Sequence, residues 1–143
     1  MVLNEVDMSK QNARVLRFEY LSLDDVMLVG GKNANLGELT KIQNNSTIQV
    51  PPGFALTTFV YREFIENNNI DQTIDKQLKA FDQKKQNLQT TGSAIRAAIL
   101  KGTFNQKQKS EIVSAYKELC ESTGERDCAV AVRSSATAED LPE

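Results

Sequence analysis

Among its 143 residues the sequence contains no histidine, and that absence closes several chemistries at once. No imidazole on this chain can act as a general acid, carry a phosphoryl group or complete a metal set. Cysteine is nearly as scarce, with Cys120 and Cys128 the only two. Their reading is two reduced thiols in a cytoplasmic protein, not a disulfide or part of a metal site. No apolar run approaches the roughly 20 residues a membrane-spanning helix needs, so no membrane partner is expected. Met1 to Arg14 alternates polar and apolar residues and lacks the apolar centre of a secretion signal. Nor is there an excess of positive charge: a net charge of -2 argues against a broad nucleic-acid footprint.

What is present suits one globular domain, with 40% hydrophobic and 25% charged residues. Residues 1–14 read as a loosely held leader and residues 15–143 as the folded part. Val15 to Leu21 alternates β-favouring types and reads as a strand. Ser22 or Asp24 can start a short helical turn. A helix follows Gly30-Gly31-Lys32, with Leu36, Leu39 and Ile42 on one face, and Asn44, Asn45 and Ser46 end it. Pro51 and Pro52 remove two ladder donors, and Phe54 to Thr57 is a short apolar strand. Thr57 or Thr58 then offers an N-cap for a helix to about Asn67 that buries Val60, Tyr61, Phe64 and Ile65.

Further helices fit Asp71 to about Gln83, carrying Ile70, Ile74, Leu78 and Phe81, and Ser93 to Lys101, stopped by Gly102. The polar run from Gln83 to Gln89 reads as a loop or a solvated helix end. Asn105 with Gln108 resembles a capping box and opens a last helix whose stripe is Ile112, Ala115, Tyr116 and Leu119. Cys128 to Arg133 has apolar residues on both faces, as a strand covered on both sides would. Residues 134–143 read as a small, polar loop.

Two cations stand at element ends. Lys32 lies at a helix start, where it opposes the helix dipole by roughly 0.3–1 kcal/mol. An anion bound there would reverse that sign, with free amides and the ammonium both facing it. A solvated lysine in a Gly-Gly turn is the competing reading. The loop is not a Walker A loop, since Asn33 follows Lys32 and Val26 stands where the first glycine is required. Arg133 lies at the end of the expected strand, and its guanidinium suits bidentate phosphate binding. The alternative is a surface or ion-pair arginine. Ser134 and Ser135 have no histidine or evident lysine base beside them, which argues against nucleophilic catalysis. Glu139, Asp140 and Glu143 read either as magnesium ligands or as an acidic exit loop.

Taken together and in order, VGGKNANLGEL (29–39), QVPPGFALTT (49–58), AIRAAILKGTF (94–104) and CAVAVRSSATAEDLPE (128–143) resemble the N-terminal portion of the phosphoenolpyruvate synthase family. That family is grouped with pyruvate phosphate dikinase and rifampicin phosphotransferase. The resemblance implies an α+β fold, the N-terminal subdomain of an ATP-grasp-like nucleotide-binding domain, with a small mixed sheet and four to five helices. It implies a dikinase that converts ATP, pyruvate and water to phosphoenolpyruvate, AMP and phosphate through a phosphohistidine on another domain. Lys32 and Arg133 match the family residues that contact ATP phosphates. No catalytic residue and no metal ligand is implied on this chain, and the Mg2+ ligands are expected outside it. The partners implied are the nucleotide and the pyruvate-binding and phosphohistidine domains of the same parent protein. The chain is then a piece of a longer enzyme, inactive alone. A related phosphotransferase with another acceptor is a second reading, and a non-catalytic nucleotide-binding module is a third.

Overall fold

The computed structural model describes residues 8–43 and 49–138. In chain order its elements are α1 (Met8–Gln11), β1 (Val15–Arg17), 3-10 turns at Phe18–Tyr20 and Leu23–Asp25, α2 (Val26–Val29), α3 (Gly31–Ile42), β2 (Phe54–Leu56), α4 (Thr58–Asn67), α5 (Ile70–Asp82), α6 (Leu88–Lys101) and α7 (Gln106–Thr123). They form two compact units, Met1–Val60 with Gln108–Glu143, and Tyr61–Lys107. Length alone suggests one domain, but 61–107 is a run of sequence-adjacent helices that can pack locally.

In the first unit β1 and β2 pair antiparallel, with Val15 opposite Leu56 and Arg17 opposite Phe54. β1 is shorter than the alternation suggests. After Arg17 the Phe18 amide donates to Gly53 O at 3.0 Å, and the chain then tightens so that Leu21 N donates to Phe18 O. Leu21 is fully buried, in a core with Val29, Ala34 and Ala55. Asp25 caps the next turn, accepting from the Ser22 amide at 2.9 Å, and pairs with Lys10 at 2.9 Å. Thr57 N donates to Arg14 O at 3.0 Å and its Oγ1 to Ala13 O at 2.5 Å, while Arg14 pairs with Glu111 at 3.1 Å. Residues 10–14, which read as the end of a leader, are thereby bonded into this unit.

The apolar stripe of α3 is not its buried face. Gly31, Ala34 and Gly37 are buried, whereas Leu39 is 38% and Ile42 55% exposed. Small residues win because Leu21 lies directly on the helix: a Cβ on Gly37 would come within 2.5 Å of Leu21 Cβ. The Asn44–Ser46 terminator lies outside the described residues. In α7, Gln108 is fully buried and its Nε2 donates to Val60 O at 3.4 Å.

Cys128–Arg133 forms no strand among the described residues. Val130 is 50% and Val132 92% exposed, because no neighbouring strand pairs with the segment and its ladder groups have nothing to close on. The expected small mixed sheet is therefore a two-stranded antiparallel ribbon. The helical part agrees with expectation. Five helices of ten residues or more are present among the described residues, giving a mixed fold of helices and a small sheet.

In the second unit, α4 turns into α5 through Asn69 in the left-handed region, φ 53°. Phe64 and Phe104 rings meet at 5.0 Å, and Thr103 N donates to Asn68 Oδ1 at 2.9 Å. Tyr61, expected on the buried face of α4, is 57% exposed. Asn87 caps α6 by accepting from the Thr90 amide at 2.8 Å, so this helix begins five residues before Ser93, inside the polar run.

Candidate nucleotide-phosphate site

The site grows from a single residue between two helices. Gly30 ends α2, donating its amide to Val26 O at 2.8 Å, and also stands at the N-cap of α3. Its φ of 81° and ψ of 161° lie where only glycine is at ease. The reversal there aims the start of α3 at the segment that follows Arg133. The Gly31 amide donates to Ala136 O at 3.3 Å, and the Asn33 amide donates to Ser135 Oγ at 3.4 Å. A Cβ on Gly30 would come within 2.8 Å of the Ser135 carbonyl carbon and 2.9 Å of Ala136 O. Residues about a hundred positions apart are thus joined with no space between them.

This arrangement alters what the helix start can offer a ligand. The electrostatic reading gives the first-turn amides of α3 to an anion, yet Gly31 and Asn33 already donate theirs to Ala136 and Ser135. Two of the first-turn amides are therefore engaged within the protein, and nearby cationic side chains add to the helix dipole at this end. Lys32 is the second residue of α3, and its side chain is exposed. Arg133 is likewise exposed and lies two residues before the docked Ser135. The fold brings the neighbours of these two cations together and leaves both side chains on the surface. Ser135, which reads from sequence only as an unactivated hydroxyl, is instead an acceptor that caps the start of α3. The one signal for it is the run of small residues directly after Arg133.

Glu139, Asp140 and Glu143 lie outside the described residues. Among the described residues no three His, Cys, Asp or Glu side chains gather closely enough to hold a metal ion. No helix among them is long and apolar enough to cross a membrane.

Residues 26–143 match the family model described as pyruvate phosphate dikinase, AMP/ATP-binding domain. The chain belongs to this family. It is 42% identical over 139 residues to the phosphoenolpyruvate synthase of Synechocystis sp., covering 94% of this chain and 17% of that protein. Against the phosphoenolpyruvate synthase of Neisseria meningitidis it is 41% identical over 130 residues, covering 90% of this chain and 16% of the relative. The enzyme of the same name from Pseudomonas aeruginosa gives 42% over 130 residues, with 90% and 16% covered. The chain therefore spans about a sixth of the length of these relatives. The family's domain is an AMP/ATP-binding one, and it contains both Lys32 and Arg133.

Proposed function

We propose that this chain supplies half of an ATP site in a dikinase, with Lys32 and Arg133 holding nucleotide phosphates. In this reading the parent protein converts ATP, pyruvate and water to phosphoenolpyruvate, AMP and phosphate in the cytoplasm, by way of a histidine carried on another domain. Its nucleotide-binding domain is ATP-grasp-like. One observation carries the reading: the two amide contacts that tie residues 135–136 to the first turn of α3, at 3.3 and 3.4 Å. They fix the Ser135 side chain and the Ala136 carbonyl, two and three residues after Arg133, against the backbone amides on either side of Lys32. Phosphoryl transfer depends mainly on positioning and charge neutralisation, so two cations rooted in one fixed junction are well suited to it. Mg2+ is supplied with the nucleotide, and its ligands lie elsewhere in the parent protein. A phosphotransferase of the same family with another acceptor would use this junction identically.

Half a site leaves phosphate contacts solvated and screened, so the chain alone binds ATP weakly. Backbone amide NMR with ATP added to millimolar concentration is expected to shift residues 30–33 and 133–136 without saturating at micromolar nucleotide. Lys32→Ala and Arg133→Ala should each reduce those shifts. Low-micromolar affinity would contradict the half-site, favouring the self-sufficient nucleotide module. Shifts confined to the second unit would overturn the assignment of the two residues.

A further inference from the structure

The end of α7 carries a feature that phosphate binding does not use. The helix closes in a Schellman motif: the Gly124 amide donates to Glu121 O at 3.2 Å and the Glu125 amide to Cys120 O at 3.0 Å. Gly124 supplies the left-handed turn, φ 73°. The chain doubles back over the helix end and sets Cys128 on Cys120. Both are buried, at 7% and 3% exposure. Their sulfurs lie 2.6 Å apart, the Cys128 amide donates to Cys120 Sγ at 3.2 Å, and Tyr116 donates to Cys128 O at 3.0 Å. Sequence reading treats these residues as two separate reduced thiols, since nothing in their spacing shows that a helix cap superimposes them.

We propose that Cys120 and Cys128 form a dithiol modification site, which hydrogen peroxide converts to an intramolecular disulfide. The Cys120 thiolate attacks one peroxide oxygen. The O–O bond breaks and hydroxide leaves, taking up the proton that the thiol released to become water. The Cys128 sulfur then attacks the sulfur of the resulting Cys120 sulfenic acid. The S–S bond forms, the S–O bond breaks, and the hydroxyl departs as a second water with the Cys128 proton. Two thiols are oxidised by two electrons, and the peroxide is reduced to two waters.

The surroundings assign the order of attack. Burial raises the Cys120 thiol, but hydrogen bonds from the Cys128 thiol and amide and from Tyr116 outweigh it and hold Cys120 below the ordinary thiol value. Cys128 is pushed up, first by its hydrogen bond to Cys120 and then by burial, so it keeps its proton until the second step. The thiolate is the attacking form, and a sulfenic acid beside a thiol condenses to a disulfide. Hydrogen peroxide is small enough for such enclosed sulfurs. The cross-link would fasten the root of the 129–133 segment to α7, and Arg133 hangs from that segment.

The test treats the full chain with hydrogen peroxide under native conditions, followed by intact mass and peptide mapping. Expected are loss of both free thiols, a mass lower by about 2 Da, one Cys120–Cys128 peptide and reversal by dithiothreitol. A melting temperature higher by on the order of 5–10 °C is also expected, because closing a loop in the unfolded chain removes entropy from that state. With dimedone present, Cys128→Ser should accumulate an adduct on Cys120. Two thiols surviving treatment, higher oxides without a cross-link, only intermolecular disulfides, or a melting temperature that fails to rise would each overturn the proposal.

Discussion

Gly30 is where a single atom has the largest leverage on the candidate site. Its positive φ and the closeness of Ser135 and Ala136 leave no room for a side chain. Gly30→Ala is expected to cost about 1–3 kcal/mol, the usual scale for a strained backbone position, measured by urea unfolding. Arg133 is governed by geometry as well as charge. In the parent protein, on the dikinase reading proposed above, Arg133→Lys should reduce histidine phosphorylation tenfold or more, because an ammonium cannot hold two phosphate oxygens in one plane. Labelled ATP measures this, and near-normal labelling would show that the site needs charge alone. Lys32 and Arg133 stand out in the sequence as candidates because a cation at a helix start, or directly after an apolar run, contradicts local electrostatics or core packing. Ser135 does not, since its importance comes from a contact spanning 102 positions that no local pattern encodes.

Between elements, Glu38 shows how α3 is fastened to what precedes it. Its Oε1 accepts from the Leu23 amide at 3.1 Å and from Lys41 Nζ at 3.1 Å. The Lys41 hydrogen bond, and after it the Leu23 amide, hold the Glu38 carboxyl below its ordinary value of 4.5. A depressed folded value means stability that is present above about pH 4.5 and lost as pH falls through the folded value. Glu38→Gln should therefore melt earlier than the native protein at neutral pH and lose less on acidification. Melting curves between pH 6 and pH 3 check this, and parallel curves would contradict it. The elements themselves were largely legible. Apolar spacing located α4 and α5 to within a residue or two, Asn105 stood beside the start of α7, and Ser22 and Thr57 stood beside the turns they were expected to start. The failures have physical causes. Leu36, Leu39 and Ile42 form a good stripe, but close approach to Leu21 favoured the glycine and alanine side of α3. α6 began early because Asn87 capped it, although the residues before Ser93 are polar. A strand is a statement about a partner, and 128–133 has none among the described residues.

On the scale of the whole molecule, the division into two units reflects how far apart in sequence the joined residues lie. The second unit is built from α5, α6 and most of α4, elements that follow one another directly. The first must bring β1, α3 and the residues after Arg133 together across the chain, and pays loop-closure entropy to do so. The uncovered segment of that unit also has a consequence for handling the protein. Ala129 through Arg133 are all exposed, and Cys-Ala-Val-Ala-Val is β-favouring, contains no proline and carries no charge. Such a stretch is a template for another copy of itself. Light scattering from concentrated protein is accordingly expected to rise with time, and Val132→Lys, which places a charge on the most exposed valine, should suppress the rise. A scattering rate unchanged by Val132→Lys would locate the stickiness elsewhere. The residues most ready to accept a neighbouring strand thus set the concentration at which the purified chain ceases to be colloidally stable.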